Sequence, residues 1–126
     1  MELQNNITRE NVRYLMTLFY TRAIADEVLG PFFINELGND IKNQDWQEHI
    51  ELLADFWLAE LKGEKTYKGN IYGAHIKVPH ISRESFKKWI ELFSASADEV
   101  YIPSVSNRFK QKGISLSKEF ISHLNI

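Results

Sequence analysis

Four side chains here have the types and spacing to build a polar pocket inside an apolar core: Tyr20, His49, His75 and Trp89. Tyrosine and tryptophan each carry a single hydroxyl or indole N–H into apolar surroundings, where it needs a partner. Histidine brings a nitrogen that can take up a proton, form a hydrogen bond or ligate a metal. His49 follows Trp46 by three residues and precedes Leu53 by four, so at about 100° per residue the three share one helical face. His75 lies in NIYGAHIKVPH, bracketed by Ile71, Ile76 and Val78, with Pro79 restricting the backbone just after it. Such a segment presses a short, stiff stretch against a core. An imidazole held there can ligate a metal through one nitrogen while its other N–H binds a backbone carbonyl. Each of the four also has a plainer reading as core or surface. The joint occurrence of Tyr20, His49 and Trp89, on three helices, is what points to a site, and His75 is read separately from its constrained segment. His80, beyond Pro79, and His123, near the chain end, are less well placed.

Other chemistries find little to work with. The chain has no cysteine, which excludes disulfides, thiolate metal ligands and cysteine nucleophiles. It has no glycine-rich phosphate loop and no nucleophile elbow. A mononuclear zinc site is the competing metal reading, but Glu48-His49 is only half of an H-E-x-x-H signature. Asp45, Glu48 and Glu51 read as solvated helix positions rather than acid–base groups, and no catalytic residue is assigned. The net charge is -2, and the 15 Lys and Arg residues form no long run. Affinity for nucleic acid rests on neutralised phosphates, so no nucleic-acid partner is expected. No apolar stretch approaches the roughly 20 residues that span a bilayer. The opening MELQNNITRE lacks the basic and then apolar regions of a signal peptide. The expectation is a cytoplasmic monomer without membrane partners.

The elements that must position these residues are helical. At 126 residues the chain suits one domain, 1–126. Thr8 caps a first helix, with Ile7 and Val12 placed as a hydrophobic staple. Val12, Leu15, Met16, Phe19, Tyr20, Ala23 and Ile24 carry its helical period, and Gly30-Pro31 is expected to stop it. PFFINEL reads as a short helical turn and GNDIKNQ as a polar turn. The next helix runs from Asn43 or Gln44 to Leu61, ended by Gly63, with Trp46, Ile50, Leu53, Phe56, Trp57 and Leu61 as its apolar stripe. Ser82 caps a third helix, stapled by Ile81 and Phe86, which buries Phe86, Trp89, Ile90 and Phe93. A last helix begins near Pro103 and continues towards Leu124, with Gly113 expected to weaken its middle. No strand alternation is present, so the fold class is all-α. The interval from Lys62 to Pro79 stands apart: it carries three glycines, has room for at most a short helix around Tyr72 to Ile76, and suggests a wall around something.

Four segments in order resemble a known family. LMTLFYTRAIADEVLGPFF, DWQEHIELLADFW, YKGNIYGAHIKVP and SFKKWIELF together make nearly the whole chain similar to group III of the truncated haemoglobins, the bacterial two-on-two globins. The phenylalanine–tyrosine pair of the first helix and the leucine–glycine–proline turn are among the matching features. The resemblance implies a two-over-two helical sandwich around haem b, iron protoporphyrin IX. It makes His75 the proximal iron ligand, with Tyr20, His49 and Trp89 on the side where a ligand binds. Phe33, Leu53, Tyr72, Ile76 and Trp89 would line the haem beside His75. The chain departs from the family at Ile71, where a proline is usual.

The function implied is reversible binding of dioxygen and related diatomics such as carbon monoxide and nitric oxide, with nitric oxide or peroxide turnover as an extension. Whether the protein is an enzyme is left open. No flavin or nicotinamide segment is present, so sustained turnover would draw on an external reductase. A haem-based sensor or redox partner is one alternative. A haem-free helical interaction module is another, separable by the absence of a Soret band.

Overall fold

The computed structural model describes residues 2–65 and 81–126; Tyr72, His75, Ile76 and His80 lie outside the described residues. Five helices form the described part: α1 (Arg9–Ala25), α2 (Gly30–Leu37), α3 (Gln44–Lys62), α4 (Arg83–Val100) and α5 (Pro103–Leu124). Among the described residues there is no strand, only an isolated bridge between Gln4 and Tyr101. None of these helices is long and apolar enough to cross a membrane.

The helix starts follow from their caps. Thr8 Oγ1 accepts from Asn11 N–H at 3.1 Å, and Asn11 Oδ1 accepts from Thr8 N–H at 2.9 Å, a reciprocal box that satisfies two end donors. Ser82 and Ser85 repeat that arrangement at α4. Asn43 caps α3, and Gly63 ends it with a left-handed φ of 71°. These boundaries agree with the caps read from the sequence.

The first helix ends earlier than expected. Gly30 and Pro31 do not stop α1; they open α2, and α1 terminates at Ala25. The physical cause is Asp26, whose Oδ1 accepts from Val28 N–H at 2.8 Å and Leu29 N–H at 3.0 Å. These bonds draw Asp26 out of helical geometry, and Pro31 then suits a first helical turn, where its missing N–H costs nothing. Gly30 is required at the corner by space: a Cβ there would lie 2.4 Å from the Ile24 carbonyl oxygen.

The helices pack as two pairs. α1 lies against α3, α4 lies along α5, and α1 also contacts α4. Trp57 joins the pairs by stacking on Phe93 at 5.0 Å and leaning on Phe109 at 5.5 Å. The stripe expected on α3 is only partly enclosed, since Leu53 and Leu61 are half-buried. On α4, Trp89 and Ile90 are likewise half-buried rather than sealed in. Gly113 leaves α5 continuous. It is buried, and a Cβ there would stand 3.3 Å from the Phe93 ring and 3.4 Å from Ile90. Its small size lets α4 and α5 approach, which offsets the propensity cost of roughly 1 kcal/mol against alanine.

Candidate functional site

One wall of the core is built from aromatic rings on three helices. α1 contributes Tyr20, α2 contributes Phe33, and α3 contributes Trp46 and His49. The Tyr20 ring centroid lies 5.0 Å from His49, 5.2 Å from Trp46 and 5.3 Å from Phe33. Trp46 in turn meets His49 edge-on at 5.6 Å and Phe33 at 5.9 Å. Edge and tilted contacts of this kind contribute beyond the area they bury.

The polar atoms of this wall differ in their state. Trp46 is fully buried, and its Nε1–H donates to the Gly38 carbonyl at 2.8 Å. Tyr20 is only 5% exposed, and no hydrogen bond to its hydroxyl is formed among the described residues. Burial pushes that hydroxyl well above the usual tyrosine range, so it stays protonated and able to donate. His49 is half-buried, with its Nε2 shielded from solvent. A protonated donor and an imidazole thus stand side by side in low-dielectric surroundings. Such a pair can orient on a small polar guest that a dry apolar core would reject.

Of the residues singled out from the sequence, the structure brings Tyr20, His49 and Phe33 together. Leu53 and Trp89 pack half-buried on the flank of the core. Trp89 stacks on Phe93 at 5.0 Å, and among the described residues it reaches Tyr20 through Phe19, which contacts both rings at 5.9 Å and 4.8 Å. The proximal candidate His75, with Tyr72 and Ile76, lies outside the described residues. Trp46 was legible as core but not as part of the site. Its three-residue spacing to His49 was the available signal. Among the described residues no three His, Cys, Asp or Glu side chains gather as a metal site, so the zinc reading gains no support there.

Helices paired in this way, around an aromatic wall carrying a desolvated tyrosine, define a truncated globin: the fold superimposes on a group III truncated hemoglobin from Campylobacter jejuni with a TM-score of 0.90. That match has 30% identity and covers 98% of this chain and 95% of the other. A group 3 truncated hemoglobin of Campylobacter jejuni subsp. jejuni is 32% identical over 114 residues, 90% of this chain and 88% of that protein. No protein-family model matches. The chain belongs to the group III truncated haemoglobins.

Proposed function

We propose that the protein binds haem b and uses it to hold dioxygen and related diatomic ligands reversibly. The observation that carries this reading is the Tyr20 hydroxyl, desolvated and without a described partner beside His49, in a truncated-globin fold. The residues present fit a haem. Phe33, Leu53 and Trp89 are large apolar side chains packed on the core yet left half-covered, surface that a flat apolar macrocycle would remove from water. Each such side chain contributes about 1.5–3 kcal/mol when fully buried.

His75 is assigned as the iron ligand, with Tyr72 and Ile76 beside it. When bound, the haem would supply an iron able to take up a diatomic ligand. Tyr20 donates a hydrogen bond to that ligand from α1. His49 stands next to it on α3, placed to admit or exclude small molecules, and Trp89 closes the α4 side. A donor favours dioxygen, which polarises on binding, over carbon monoxide. Reaction with nitric oxide or peroxide extends the same pocket chemistry and would draw electrons from an external reductase. The protein is assigned as a cytoplasmic monomer.

Absorption spectra of the purified protein in ferric, ferrous and CO-treated forms test the reading directly. A Soret band that responds to carbon monoxide is expected. His75→Ala is expected to lose haem or its five-coordinate ferrous spectrum, while His80→Ala keeps both. A wild-type protein without a Soret band after haem reconstitution would leave a haem-free helical module as the correct class.

A further inference from the structure

Trp46 makes contacts that filling the core does not require. Its indole N–H donates across the α2–α3 connection to the Gly38 carbonyl at 2.8 Å. Asn43 closes the same connection from both sides. Its Nδ2 donates to the Leu37 carbonyl at 2.8 Å, and its Oδ1 accepts from the Trp46 backbone N–H at 2.8 Å. Gly38 presents its carbonyl from φ 84° and ψ 177°, a conformation open essentially to glycine alone. One hydrogen bond therefore holds the indole plane, and two from Asn43 hold the connection that carries its acceptor and the first turn of its helix. That plane touches Tyr20, His49 and Phe33, the three rings of the wall.

We infer that Trp46 is a positioning residue: held by the Gly38 carbonyl, it fixes the Tyr20 and His49 rings and so sets discrimination between dioxygen and carbon monoxide. This rests on the haem reading above. The indole N–H is committed to a backbone carbonyl, so Trp46 acts through its neighbours rather than on the ligand. Volume alone would account for the ring contacts. It would not account for a glycine-only turn and a capping asparagine converging on the indole and the first turn of its helix. If the N–H bond orients the plane, deleting that bond at constant shape shifts Tyr20 and His49. If Trp46 only fills space, the deletion leaves them in place.

The test replaces Trp46 with 3-benzothienylalanine, which keeps the bicyclic ring and removes the N–H, and in parallel makes Asn43→Ala. Haem uptake by the wild type is measured first. Its failure would refute the haem reading, on which the inference depends. In the haem-loaded proteins the C–O stretching band of the carbon monoxide complex reports the polar field at the ligand. The band is expected to shift or split in both variants. Dioxygen escape is expected to quicken by about three- to tenfold, the range a displaced neutral hydrogen bond commands, with carbon monoxide escape changed less. In the haem-free protein, the Trp46 indole N–H resonance is expected to be protected from exchange in the wild type and less so in Asn43→Ala. Haem-loaded variants with an unchanged C–O band and unchanged escape rates would overturn the inference. So would a Trp46 N–H that exchanges freely in the wild type.

Discussion

Removing the Tyr20 hydroxyl should stabilise the protein and impair its ligand binding at once. Tyr20→Phe keeps the ring and its contacts with His49, Trp46 and Phe33. It deletes one oxygen that is taken from water and has no partner among the described residues. A buried donor left unsatisfied costs about 1–3 kcal/mol. Tyr20 retains 5% exposure, so the lower end applies, about 1 kcal/mol regained on substitution. For a chain of 126 residues that corresponds to a midpoint rise of roughly 3–5 °C. Urea and thermal unfolding of the haem-free protein, followed by circular dichroism, measure it. On the proposed reading the same change removes a donor to the ligand in the haem-loaded protein, so dioxygen escape should accelerate about five- to tenfold, with carbon monoxide escape little affected. A destabilised haem-free Tyr20→Phe would show that the hydroxyl is internally paired, and the reasoning from desolvation would fail.

Two further perturbations test the frame around the site. Tyr101→Phe deletes a buried hydroxyl that donates to Asn11 Oδ1 at 2.6 Å, and should cost about 1 kcal/mol in urea unfolding; no loss would mean that this pair is not a net stabiliser. Burial works against the charge of Asp26, but the N–H groups of Leu29 and Val28 and the Lys88 ammonium outweigh it and hold its carboxyl below the usual range. A depressed folded-state value means that the charge contributes fully above the ordinary carboxylate pKa of about 3.9 and is lost as pH falls below it. Asp26→Asn keeps an acceptor oxygen and removes the charge. Its deficit in urea midpoint should therefore be present at pH 6 and shrink as pH falls below the ordinary carboxylate range and through the depressed folded value, and a deficit that stays constant on acidification would refute the assignment.

Much of the architecture could be read because local signals and tertiary packing agree. Thr8, Ser82 and Gly63 are caps whose chemistry is decided within four residues, and the structure uses each one as read; of the two starts open for α3, it begins at Gln44 with Asn43 as its cap. Gly30-Pro31 misled because the same pair serves two purposes. Before a proline a helix tends to end, and at a proline a helix readily begins. What decided between them was the Asp26 side chain and the close approach of Gly30 to Ile24, which sequence spacing does not encode. Gly113 misled in the same way: its propensity cost is local, while its use is an interhelical contact. For the site, periodicity placed Trp46 and His49 on one face. It could not name the partner of the indole N–H, a carbonyl eight residues upstream across a turn whose direction only the folded backbone sets.

The two buried tyrosines show where residue type stops being informative. Tyr20 and Tyr101 are both nearly inaccessible, and burial raises both above the usual tyrosine range. Tyr101 sits where the segment around Gln4 crosses the α4–α5 corner, and its hydroxyl reaches Asn11, which is itself held by the cap of α1. That hydroxyl belongs to the structure. Tyr20 has the same burial and no such partner among the described residues. Instead the two polar rings beside it lie at 5.0 and 5.2 Å, one an imidazole and the other with its N–H committed to Gly38. A core selected only for stability would carry phenylalanine at Tyr20, since the ring supplies the contacts and the oxygen only adds desolvation. On the proposed haem reading, a small polar ligand is the partner that this oxygen lacks among the described residues.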